Sequence, residues 1–235
     1  EILREFNNFL FCNGFPEMVN ESKDVIRKYI KENIIEKIVY RDIPQVLHIK
    51  NPSILEEILK IIITNPGQII SIDNISKDSG ISRQTVSLYL DYLEKSFLIK
   101  KLYNFSGNAR KTQRKLKKYY PVVLLPEIIE KQELIGKVFE TSLVLSMDAE
   151  FFWRDQYKNE VDVVKLTDNG ILPIEIKYSQ INTKPLKLFM KKFKAVKGLI
   201  ITYDQKDVTR FFNNTNKYFF RAHRAYLVDA PMERL

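Results

Sequence analysis

Hydrophobic positions in the first fifty residues recur at helical spacing, Phe6, Phe9 and Leu10 in one run and Ile30, Ile34, Ile35 and Ile38 in another. Asn13-Gly14-Phe15-Pro16 marks a turn between them, so the pattern predicts a small helical segment over 1–50. Asn51-Pro52-Ser53 opens the next helix, with Ser53 as N-cap, Glu56 at the capping-box position and Ile54, Leu55, Ile58, Leu59, Ile62 and Ile63 as one apolar stripe. Asn65-Pro66-Gly67 stops it. A short helix over 71–79 turns Ile72 and Ile75 inward, Gly80 supplies a turn, and Ser82 caps a longer helix with Val86, Tyr89, Leu90, Leu93 and Phe97 on one face. Leu98 to Tyr103 and Lys115 to Tyr120 read as strands about a turn at Ser106-Gly107-Asn108. Three helices followed by a hairpin predict a winged helix-turn-helix over 51–122.

From Glu127 the pattern changes to mixed helix and strand. Residues 133–147 read as an amphipathic helix carrying Glu140. Strands are expected over 151–153, 160–166 and 171–178, a lysine-rich helix over 183–196, an apolar strand over 198–203 and a last strand-like segment over 218–228. The expectation for 123–235 is an α/β domain with a mixed sheet, and for the whole chain a multidomain α+β and α/β protein.

The turn Thr167-Asp168-Asn169-Gly170 controls what the hairpin brings together. A four-residue turn pairs Leu166 with Ile171 and sets Asp162 opposite Glu175, whereas a tighter Asn169-Gly170 turn pairs Asp162 with Lys177. Side chains alternate along a strand, so either register gathers Asp162, Glu175 and Lys177 on one face. A hard divalent cation takes oxygen ligands from one or two carboxylates plus phosphate oxygens. Asp162 and Glu175, with Glu140 completing the shell, are therefore candidate ligands for Mg2+ or Mn2+, and Lys177 a candidate for stabilising charge on a phosphate in flight.

Composition narrows the class. The chain has 235 residues, 45% of them hydrophobic, which rules against intrinsic disorder, and its single cysteine, Cys12, and two histidines exclude a disulfide scaffold and a Cys/His zinc site. Cys12 reads as apolar filler, and His48 and His223 stand alone. There is no signal-type segment and no apolar run of about 18 residues, so the expected setting is cytoplasmic, without a membrane partner. The chain begins at Glu1, and the expectation is that it belongs to a longer protein. The formal charge is +9, yet removing the six basic residues of 110–118 and the six of 184–197 leaves 26 basic against 29 acidic residues. One cluster lies on the predicted wing, where Arg110, Lys111, Arg114, Lys115, Lys117 and Lys118 would meet phosphates. Arg83, Gln84 and Ser87, outward on the helix after Ser82, would read DNA base edges.

At these residues the chain resembles a known family. Asp162, Glu175 and Lys177 after a helix bearing Glu140, in helix–strand–strand–strand–helix–strand order, resemble the PD-(D/E)xK, or restriction-endonuclease-like, nuclease superfamily, which implies Mg2+-dependent cleavage. Gly14-Phe15-Pro16-Glu17, Tyr40-Arg41-Asp42-Ile43, the Tyr89-Leu90 to Leu98-Ile99 stretch, Trp153-Arg154, Glu160-Val161-Asp162 and Ile174-Glu175-Ile176-Lys177 are similar to motifs in the C-terminal part of a prokaryotic AAA+ type ATPase family. That resemblance implies a lid-like segment over 1–50, the winged helix, and a nuclease-like domain over 123–235, with ATP bound in an upstream ATPase domain of the same polypeptide. This sequence itself contains no Gly-x4-Gly-Lys-Ser/Thr loop. It departs from the family over Lys118 to Leu125, where the usual Asp and Gly are missing. Two alternatives to an endonuclease remain at this level. One is an inactive nucleic-acid- or protein-binding module of the same ATPase; the other is a toxin–antitoxin or oligomerisation accessory.

Overall fold

The computed structural model describes residues 2–47, 49, 51–108, 110, 112, 116–168, 170–178, 182–203, 217–220 and 223–229, the last two stretches and residues 2–4 as backbone alone. They divide into two compact units, one holding 3–101 and 118–141, the other 102–117 and 142–235.

The first unit opens with α1 (Ile2–Cys12) and α2 (Lys23–Lys28), the latter capped by the Ser22 side chain, which accepts the Val25 N–H. Two π-helical stretches, Tyr29–Glu36 and Ile38–Asp42, lead into α3 (Ile43–Leu47). Wider turns change which residues face inward: Ile30, Ile35, Val39 and Ile43 are buried, while Ile34 and Ile38 are only partly so. The helix α4 (Pro52–Thr64) buries Leu55, Ile58, Leu59, Ile62 and Ile63. Its N-cap position is Asn51 rather than the expected Ser53, because proline suits the first helical position and Pro52 takes it. Glu56 does not close a capping box either; it accepts the hydroxyl of Tyr40, whose pKa this bond chiefly pushes up to about 12.

After β1 (Gln68–Ile69) come α5 (Ile72–Ser79) and α6 (Arg83–Lys95), joined through Gly80 at φ 68°. Ser71 and Ser82 accept the N–H groups of Asn74 and Thr85. Val86, Tyr89, Leu90 and Leu93 are buried as expected, but Phe97 is 80% exposed. The helix has ended two residues before it: Phe97 sits at φ 57° and Leu98 N–H returns to the Leu93 carbonyl, a helix stop without the usual glycine. The strands β2 (Ile99–Asn104) and β3 (Lys117–Pro121) follow, β3 lying between β1 and β2 and pairing antiparallel with β1 through Gln68 and Tyr119. Further along the chain, α7 (Pro126–Ile129) and α8 (Ile135–Ser146) complete the helices before the next strand.

In the second unit β4 (Phe151–Arg154) runs parallel to the end of β2 and antiparallel to β5 (Glu160–Thr167). The hairpin partner of β5 is β6 (Gly170–Lys177), and α9 (Lys184–Phe193) carries the chain to β7 (Lys197–Thr202), parallel to β6. The expected single segment over 218–228 is instead two antiparallel strands, β8 (Lys217–Phe220) and β9 (His223–Asp229), with β9 beside β7. Both units thus belong to a mixed α/β protein whose sheet combines parallel and antiparallel pairs. In the second unit's core, Leu186, Phe189 and Met190 of α9 join Trp153, Val161, Val164 and Ile200 of the strands. Gly198 permits the helix to come close: a Cβ there would lie 3.0 Å from Met190 Sδ and 3.2 Å from Leu186 Cδ2.

Candidate functional site

The β5–β6 ladder pairs Leu166 with Ile171, Val164 with Pro173 and Val163 with Ile174, the register of the four-residue turn. One step further puts Asp162 beside Glu175. There the ladder gives way to a side chain: Asp162 Oδ2 accepts the Ile176 N–H at 2.7 Å. The register of β4 on β5 shifts over this same stretch, and such irregularities re-aim side chains at the ends of ladders.

Lys177 closes the cluster. Its Nζ lies 2.7 Å from Glu175 Oε1 and 3.3 Å from Asp162 Oδ2. The carboxylates belong to residues only 2% and 5% exposed, and the lysine side chain is 29% exposed. Both acids contact the same ammonium. Little water reaches the two buried carboxylates, which makes the local electrostatics stronger than those of surface pairs.

Glu140 has partners within its own unit. It accepts a 2.6 Å hydrogen bond from the Tyr120 hydroxyl and lies 3.1 Å from Lys118 Nζ. Lys118 and Tyr120 stand two apart on β3, so strand alternation sends both side chains the same way, and together they take the carboxylate. The expected three-carboxylate shell is therefore corrected: among the described residues no three of His, Cys, Asp and Glu are grouped to hold a metal ion. The same pairing corrects Lys118, which is 4% exposed and ion-paired rather than displayed for phosphates.

The remaining candidates fall into three groups. Arg83, Gln84 and Ser87 are exposed on the first turns of α6, with Arg83 ion-paired to Asp73. Arg110 is exposed, and Lys117 is partly buried with its ammonium 5.9 Å from the Tyr103 ring centre. Lys111, Arg114 and Lys115 lie outside the described residues.

Sequence patterns missed three polar residues at the same end of the second unit's sheet. Asn104 is 3% exposed and bonds both backbone groups of Arg154, donating to its carbonyl at 2.9 Å and accepting its N–H at 3.0 Å. Asp155 organises the β4–β5 turn: burial pushes its carboxyl up, but hydrogen bonds from Asn159 and Tyr157 and the charge of Lys192 outweigh that and lower it. Thr202 is 2% exposed, pairs in register with Lys177, and its hydroxyl makes no hydrogen bond among the described residues. A threonine in an apolar strand looks like ordinary β-branched filler, so only the register of β6 on β7 reveals it.

A family model described as a domain of unknown function (DUF8612) matches residues 3–122, just over half of the chain, and the chain belongs to that family. Residues 138–222 match a second domain of unknown function (DUF4143), one typically found at the C-terminus of AAA-type ATPases. The chain is also similar to the uncharacterized protein MJ1544 of Methanocaldococcus jannaschii, 27% identical over 226 residues. The match covers 88% of this chain and 51% of that protein, so the chain spans about half the length of its curated relative. No helix among the described residues is long and apolar enough to cross a membrane.

Proposed function

We propose that the chain is a nucleic-acid-acting C-terminal region of an AAA-type ATPase, and that its second unit is a restriction-endonuclease-like domain hydrolysing DNA phosphodiesters with Mg2+ or Mn2+. The observation that carries this reading is the Asp162–Glu175–Lys177 cluster, built by one hairpin register at the end of β5 and β6. Its donor set fits a hard divalent ion, since two carboxylates suffice when phosphate oxygens supply further ligands. Asp162 and Glu175 would hold the ion, which when bound supplies Lewis acidity and a more acidic water. Lys177 directs an ammonium at both carboxylates and keeps them together; with its partial exposure it also reaches a phosphate oxygen of a bound strand.

The first unit supports a DNA-binding partner role. Helix, strand, two helices and a hairpin with β3 between β1 and β2 are the parts of a winged helix, with α6 presenting Arg83, Gln84 and Ser87 and the β2–β3 connection presenting Arg110. ATP binding would belong to an upstream domain of the longer polypeptide, a reading supported by the usual setting of the DUF4143 domain.

The test is cleavage of plasmid and branched DNA with Mg2+ or Mn2+, comparing wild type with Asp162→Asn and Glu175→Gln. Asparagine keeps an acceptor for the Ile176 N–H, so fold and chemistry are separated. Metal-dependent cleavage lost in both variants is the expected result; equal background cleavage in all three proteins overturns it. A second reading has its own support. Lys177 already neutralises much of the carboxylate charge, as in a site kept only as a binding surface, and DNA binding without any metal-dependent cleavage would select it.

A further inference from the structure

The parallel register of β6 and β7 sets Thr202 beside Lys177, on the side of the lysine away from β5 and Asp162. Neighbours in a ladder share a face, so the threonine side chain stands on the face that carries the lysine. Burying a hydroxyl without a hydrogen bond is costly, and a buried threonine in a sheet usually finds a carbonyl or a neighbouring side chain. Thr202 at 2% exposure finds neither among the described residues. The chemistry is split across the two sides of Lys177. The Asp162 carboxylate, suited with Glu175 to a cation, lies toward β5; a hydroxyl donor, suited with the ammonium to an anion, lies toward β7.

From this division we infer that Thr202 is a positioning residue of the site: its hydroxyl, together with Lys177 Nζ, holds a non-bridging phosphate oxygen of the nucleic-acid strand. This assignment rests on the phosphodiesterase reading and adds to it which side of the cluster takes the phosphate. A hydroxyl proton and an ammonium proton then converge on one anionic oxygen, and hydrogen bonds to charged groups are the stronger ones. Valine, of the same shape, removes only the donor.

The experiment uses the full chain and a fluorescein-labelled DNA duplex, titrated with and without Ca2+. The gain in affinity on adding the ion isolates the metal site, since contacts elsewhere are common to both titrations. Mn2+ binding by calorimetry and thermal melting accompany it. The expected result is that Thr202→Val reduces the Ca2+-dependent gain about tenfold while Mn2+ affinity is kept and the melting temperature is equal or higher; Thr202→Ser stays within about threefold of wild type. A Thr202→Val protein with an undiminished gain and a raised melting temperature overturns the assignment and makes the threonine a buried structural group. A wild type that takes up no Mn2+ and shows no Ca2+-dependent gain overturns the phosphodiesterase reading itself, and Thr202's role with it. The two failures are therefore distinguishable.

Discussion

In each unit a lysine is ion-paired to carboxylate, and the two clusters differ in that Lys118 is itself buried while the Lys177 side chain is 29% exposed. In the first unit Lys118 meets Glu140, and the Tyr120 hydroxyl supplies a second donor to the same oxygen. The group packs under Gly67, where an added Cβ would come 2.8 Å from the Tyr120 ring. In the second unit one lysine, Lys177, serves two acids, Asp162 and Glu175. Like-charged carboxylates held together are a recurring device of functional sites. The comparison teaches that burial and ion pairing alone do not single out a candidate site; a second carboxylate brought to the same lysine does.

The comparison can be broken by mutation, beginning with the largest effect. Replacing Lys118 by methionine strands Glu140 against a buried tyrosine and should destabilise the protein by about 3–5 kcal/mol, read as a large drop in the chemical-denaturation midpoint that no divalent ion repairs. Asp162→Asn and Glu175→Gln should each weaken Mn2+ binding by at least about a hundredfold, the upper end of what even outer-shell changes do at metal sites, as followed by calorimetry. Lys177→Gln removes the resident cation and leaves two buried acids. Its stability should become metal-dependent, with Mn2+ at about a hundred times its dissociation constant returning roughly 2.7 kcal/mol, while Lys118→Met shows no such rescue in the same melting series. Glu140→Gln should have the smallest effect on the site, leaving Mn2+ affinity within about threefold of wild type; a large loss would mean that the two clusters are not independent and would restore Glu140 to the metal shell.

The clustering of Asp162, Glu175 and Lys177 was legible because alternation along the hairpin holds in either register. The turn at Thr167 to Gly170 left two registers open, both of which gather Asp162, Glu175 and Lys177 by alternation, and the structure takes the one with Leu166 opposite Ile171. The partners of Glu140 were hidden for a reason that lies in β3. Lys118, Tyr119, Tyr120 and Pro121 are all buried, so the strand is covered on both faces and gives no polar alternation to expose which residue points at α8. Helix edges failed where the usual stop and start residues were absent or displaced, as at Phe97 and Ser53. The π-helical stretches escaped because Ile30 and Ile35 are five apart, a spacing that a search for intervals of three and four does not register. Thr202 was invisible because its meaning depends on a partner strand more than twenty residues away in the chain.

The hydrogen bond from the Ile176 N–H to Asp162 ties a main-chain donor to a side chain that the proposed chemistry also uses. A consequence concerns tolerance to length rather than to composition. The loop at 167–170 is exposed where it is described and should accept many amino acids, yet one residue added to it slips β6 against β5 and sends Glu175 and Lys177 to the opposite face. In a deep mutational scan, that short tip would be permissive to substitution and intolerant of insertion, the reverse of what surface loops ordinarily show.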